Sequence, residues 1–285
     1  MKAVLVFCEG YHDVVFAQRS LGAHAGCEWV DKPIGELPSP FGSTGTVARK
    51  GLIANQFERQ AVDNLRLRNA AHPPLPCFES IVESTAADTM FFLVRAHGQE
   101  RQAPVTSLLE TMDVTITEEP AGTFDVSEYA AAFLFDANGE GVTSTLAAFR
   151  ERYGEHFGDL SNIEHGKWLS GTTVPVGCFV FHKSAADETG TLDDHLAPMA
   201  ESAWPERYDG AERFVDDNRN AGDKVSTREA ERLKAIITVT GQFDNPGDPL
   251  SIVIGRNGLP RAQFETSALS AELADFLTGT PWIDA

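Results

Sequence analysis

Two short, unbroken apolar runs, each stopped abruptly by an acid, constrain this chain most. Val4-Leu5-Val6-Phe7-Cys8 ends at Glu9-Gly10 with Tyr11-His12-Asp13 directly behind it. Ala132-Phe133-Leu134-Phe135 ends at Asp136-Ala137-Asn138-Gly139-Glu140-Gly141. Runs that are apolar at every position, not at alternate ones, are expected as strands buried on both faces, which places helices above and below a parallel sheet. In open sheets of that kind, ligands bind outside the carboxyl ends of the strands, where both acidic turns fall.

The remaining pattern agrees. A strand over 3–9 and a turn at Gly10 lead into a helix from Asp13 to Gly22, with Val14, Val15, Phe16 and Leu21 on its apolar side. Further strands are expected at Thr89–Val94, Tyr129–Phe135 and Val174–Phe181, and helices at Pro104–Met112, Val142–Tyr153 and Ser267–Leu277. A polar helix over Val225–Ala235 runs into the apolar Ile236-Ile237-Thr238-Val239. Alternating strands and helices predict one α/β domain over 1–285, a mostly parallel sheet with helices on both faces in a Rossmann-like three-layer arrangement. Between 25 and 87 the alternation fails. Pro33, Pro38, Pro40 and Pro73-Pro74-Leu75-Pro76 punctuate it, Gly42-Ser43-Thr44-Gly45 reads as a loop, and Lys50–Asn69 reads as a helix bearing Arg59, Arg66 and Arg68. This stretch is expected to be an insertion or cap after the first βα unit, its arginines either a solvated face or a strip against a phosphate backbone.

Composition narrows the function classes. At 285 residues with 42% hydrophobic content, the chain buries a core without needing disulfides. Cys8, Cys27, Cys77 and Cys178 are scattered without paired spacing, so reduced thiols are expected and a zinc site is not. No leader pattern and no apolar run of ~18 residues occur, and a cytoplasmic protein without a membrane partner is expected. A net charge of −19 weighs against a protein that coats nucleic acid, but not against an enzyme that gathers carboxylates around a metal. Gly-x-Gly-x-x-Gly, P-loop and Gly-x-Ser-x-Gly strings are missing, which disfavours dinucleotide oxidoreductases, P-loop ATPases and serine hydrolases.

Asp136-x-Asn138-x-Glu140-Gly141 has the spacing of the first half of an EF-hand loop, yet Ala147 stands where the bidentate glutamate is required and the preceding segment is a strand. At a strand end the same residues are either oxygen ligands for a hard cation or a polar turn capping the next helix. Asp13 has a comparable choice between ligand and first-turn dipole partner, as do Asp193 and Asp194 after Gly190-Thr191-Leu192. Glu9 ends a buried strand directly, where a carboxylate is costly unless it meets a cation or strong donors. His12 is either a proton-transfer group or an exposed turn residue, and His97 and His182 stand at strand ends.

Glu9-Gly10 with Asp13 after an amino-terminal strand, and an Asp-x-Asp-like motif after a later strand, resemble the Toprim domain of bacterial primases, topoisomerases, recombination mediators and OLD-family nucleases. The likeness extends to small Toprim-like proteins with a Gly-Thr-Leu-acid-acid segment, here Gly190 to Asp194, and a late lysine-bearing strand, here Lys234-Ala235-Ile236-Ile237. Gly241-Gln242 to Gly258-Leu259 and the last helix also fit, so the resemblance spans most of the chain outside 25–87. It implies Mg²⁺ or Mn²⁺ as cofactor and nucleic acid, DNA or RNA, as partner. Glu9 would be metal ligand or general acid/base, Asp136 and Asn138 would hold the metal with Glu140 as substitute, and Asp13, Asp193 and Asp194 would add carboxylates as in the nuclease branch. Lys234 would offset charge on a phosphate. Asn138 departs from the family's second aspartate, which lowers the expected metal affinity. The implied activity is a metal-dependent nuclease. The alternatives are a non-catalytic Toprim-like module that binds metal, nucleotide or nucleic acid, and an unrelated flavodoxin-like protein whose strand-end acids are helix caps.

Overall fold

The computed structural model describes residues 1–31, 36–41, 77–96, 102–113, 124–244, 246–247, 249–255 and 258–282. Seven strands form one sheet: β1 (Lys2–Cys8), β2 (Glu28–Trp29), β3 (Cys77–Ser84), β4 (Thr89–Arg95), β5 (Glu128–Asp136), β6 (Lys167–Leu169) and β7 (Val176–Phe181), in the order β2-β3-β4-β1-β5-β7-β6. The four central strands, β4, β1, β5 and β7, run parallel. The edges are antiparallel: β2 on β3, β3 on β4, and β6 on β7.

The apolar runs become central strands because both faces are covered. Ala3, Leu5 and Phe7 face one layer with Phe133, where α2 (Gln102–Met112) and α3 (Gly141–Phe157) contribute Leu108, Leu109, Phe149, Tyr153 and Phe157. Val4, Val6 and Cys8 face the other layer, covered by α1 (Tyr11–His24), α4 (Asp193–Ala203), α5 (Pro205–Asn218) and α7 (Glu229–Gly241). The same layer holds the short α6 (Lys224–Thr227) and α8 (Leu250–Val253), then α9 (Arg261–Thr266) and α10 (Ala268–Thr278). The expected three-layer α/β architecture is therefore present.

Three local expectations change. The segment 25–87 is not wholly an insertion, since β2 and β3 extend the sheet by two antiparallel strands. Its expected loop at Gly42–Gly45, the helix at Lys50–Asn69 with its arginines, and His97 fall outside the described residues. The polar helix over 225–235 divides into α6 and α7 at Arg228, whose backbone is extended (φ −138°, ψ 117°). Lys234–Ile237 is no strand but the middle of α7. Leu233, Ile236, Ile237 and Thr240 recur at helical spacing and present one face to the sheet layer, a period that a strand cannot use.

Candidate functional site

β1 and β5 are neighbours, so the ends of both apolar runs open onto one edge of the sheet. Past β1, the chain turns at Gly10 into α1, and Asp13 Oδ2 accepts from the Gly10 amide at 2.7 Å. That bond satisfies one orphan donor at the helix start and fixes the Asp13 side chain under the strand end. Asp13 is only 2% exposed. Past β5, Asp136 Oδ1 accepts from the Leu192 amide at 2.8 Å, which ties this strand end to the start of α4. The next residue, Asp193, is fully buried, and its Oδ2 lies 3.4 Å from Lys234 Nζ on α7. Four elements, β1–α1, β5, α4 and α7, thus bring Glu9, Asp13, Asp136, Asp193 and Lys234 to one place.

Electrostatics tie the group together. Burial pushes the Asp13 carboxyl up to about 7, and Glu9 and Asp193 push it further while the Gly10 amide opposes them. Asp136 is raised well above the usual carboxylate range by burial and then by Asp13, against the Leu192 amide. Asp193 is raised by burial, with Lys234 pulling the other way. Lys234 is pressed down by burial, but Asp193, Glu231 and Asp136 outweigh that and raise it. His12, beside Asp13 at 3.2 Å, is lowered by burial despite the charge of Asp193. Four carboxylates therefore share one ammonium, in surroundings where like charges resist ionising together.

The carboxylates have the donor chemistry a hard divalent cation takes. Asp193 Oδ1 is buried without a hydrogen-bond partner, and Asp13 Oδ1 has only the His12 ring at 3.2 Å, a costly state for carboxylate oxygens that a hard cation would relieve. Among the described residues, no three His, Cys, Asp or Glu side chains stand close enough together to hold a metal ion as they are placed. Glu9, Asp13, Asp136 and Asp193, from separate strand and helix ends, are the residues that would hold a cation.

Other sequence candidates lie apart from this cluster. Asn138 is exposed and adopts left-handed backbone (φ 52°), which asparagine tolerates. Its amide and carbonyl pair with those of Gly190 at 2.7 Å each, and its side chain donates to the Asp136 carbonyl, so it does not point alongside the Asp136 carboxylate. Glu140 is exposed at the N-cap of α3. Asp194 Oδ2 accepts from the Thr191 amide at 2.8 Å and from its hydroxyl at 3.3 Å, a local cap. His182 lines a different cleft with His165 and His195. Sequence reasoning missed the Leu192 amide as the partner of Asp136. The signal for it lay in the Gly-Thr-Leu segment before the paired acids.

No family model matches the chain, and no curated protein matches it. Among solved structures, a hypothetical protein of Pyrococcus horikoshii OT3, PH0156, is similar, with 19% identity and a TM-score of 0.53 over 98% of this chain and 95% of that one. That likeness concerns the fold. Among the described residues no helix is long and apolar enough to cross a bilayer.

Proposed function

We propose that this protein is a Toprim-like, Mg²⁺- or Mn²⁺-dependent enzyme of the cytoplasm that acts on phosphodiester bonds of nucleic acid, most simply a nuclease. The observation that carries this reading is the convergence of Asp13, Asp136 and Asp193 with one lysine, Asp193 Oδ1 being buried without a partner. A divalent cation bound by Glu9, Asp13, Asp136 and Asp193 supplies Lewis-acid stabilisation of phosphoryl oxygens. Lys234 sets a positive charge where negative charge develops on the phosphate, held in place by Asp193. Leu192 and Gly10 amides hold Asp136 and Asp13 in fixed orientation. A non-catalytic metal- and nucleic-acid-binding module is the second reading, favoured by the position of Asn138 outside the carboxylate cluster.

Isothermal titration of Mg²⁺ and Mn²⁺ into the protein and into the Glu9→Ala/Asp136→Ala variant tests the site. Saturable binding lost in the variant, with metal-dependent cleavage of single- or double-stranded substrates, is expected. Equal weak heats in both would remove the metal chemistry. Metal binding without cleavage of any substrate would leave the binding module.

A further inference from the structure

Immediately beside the acidic cluster, a cleft of about 390 Å³ is lined by Asn138, Gly139, Lys183, Gly190, Asp194 and Arg228, among others. It shares its walls with the cluster. Along one wall Asp136 belongs to the cluster and Asn138 to the cleft, and along the other Asp193 belongs to the cluster and Asp194 to the cleft. Residues two apart in a chain are separated by at most about 7 Å. That is close to the step between neighbouring phosphates on one strand.

The charges in the cleft suit an anion. Arg228 is exposed at the break between α6 and α7, and its guanidinium makes no ion pair among the described residues. Lys183 pairs with Asp187 at 3.5 Å, both being about half exposed. The acids present are already engaged: Asp194 by Thr191, and Glu229 by Arg232 at 3.1 Å. Gly190 holds this wall close, for its backbone is left-handed (φ 122°) and a Cβ there would meet Lys183 Cγ at 2.7 Å and Asp194 Oδ2 at 2.9 Å. Any other residue would push the lysine away from the cleft.

From this arrangement we infer that the cleft is a phosphate subsite, formed by Lys183 and Arg228 with Asn138, that seats the phosphate next to the one held at the acidic cluster on a single nucleic-acid strand. The inference rests on the nuclease reading above for the direction of the strand, but its own residues are separate from the metal ligands. It also accounts for Asn138. An aspartate there would set a negative charge in a cleft built for an anion, whereas asparagine can donate.

The test is fluorescence anisotropy of labelled single-stranded DNA with Ca²⁺ present, measured against salt. The wild type is compared with Lys183→Ala/Arg228→Ala and with Asn138→Asp. Loss of both cations is expected to weaken binding about tenfold and to lower the slope of log affinity against log salt by about 1.4, two contacts at about 0.7 each. Asn138→Asp is expected to weaken binding as well. An unaltered slope in the double variant, or no binding by the wild type, overturns the subsite. Mg²⁺ titration of the same proteins reports the acidic cluster separately. A slope change without any Mg²⁺ binding would uphold the subsite while the metal reading falls.

Discussion

On one side of the sheet, Phe133 stacks against Phe7 at 4.9 Å and meets Phe149, Tyr153 and Phe157 at 4.9, 4.7 and 6.0 Å. On the other side, the alternate residues of the same strands are covered by α1 and the carboxyl-terminal helices, and the buried carboxylates Asp13 and Asp193 lie there. The aromatic side is held by dispersion and burial, which are insensitive to pH and ions. The acidic side carries unpaired charge that opposes folding unless protons or a cation arrive. One face thus stabilises what the other strains, and chemistry is confined to the face where α1, α4 and α7 deliver their ends.

The largest effect should come from the aromatic side. Phe133→Ala is expected to lower stability by about 3–5 kcal/mol in urea unfolding while leaving the Mg²⁺ heat per folded molecule intact. A loss of metal binding in that variant would show that the faces are not separable. Next, Lys234→Met leaves Asp193 buried without its cation. Lys234 is one-third exposed, so the cost is placed at about 1–3 kcal/mol, and added Mg²⁺ should recover more melting temperature in the variant than in the wild type.

A smaller and opposite effect follows from Asp13. Its carboxyl sits at about 7 in the folded protein, above an ordinary 3.8, so folding takes up a proton between these values. Its contribution is most favourable at low pH and is lost as pH rises through about 7. Metal-free protein should therefore melt at higher temperature at pH 6 than at pH 8 by this contribution, and Asp13→Asn should flatten that slope and abolish stabilisation by Mg²⁺. An unchanged slope would place the charge strain elsewhere. The smallest effect is expected for Asp194→Ala, about 1 kcal/mol for a lost cap with the Mg²⁺ isotherm unaltered. A weakened isotherm would return Asp194 to the metal ligands.

Much of this was legible before any coordinates. Strands β1, β4, β5 and β7 were visible as apolar runs because burial on both faces erases alternation, and the acids ending β1 and β5 marked the edge where the carboxylates gather. Helix α7 was half legible: Leu233, Ile236, Ile237 and Thr240 hold helical period, but the family-like pattern drew Lys234 toward a strand. Two of the acidic pairs misled by proximity in sequence. Asp136 and Asn138, and Asp193 and Asp194, are neighbours along the chain yet only the first of each pair joins the cluster, because a left-handed residue at 138 and a cap at Thr191 turn the second away.

The amino-acid sequence by itself determined the layered α/β class, the central strands and Glu9, Asp13 and Asp136 as strand-end acids, since these follow from local hydrophobic pattern and from the desolvation cost of a charge beside a buried run. Only the tertiary structure decided that β2 and β3 extend the sheet antiparallel, that Asp193 rather than Asp194 joins the carboxylates, and that Lys234 reaches them from a helix. The last two outcomes depend on contacts between segments about 40 to 60 residues apart, and no local pattern encodes which of several chemically equal side chains a distant helix end will meet.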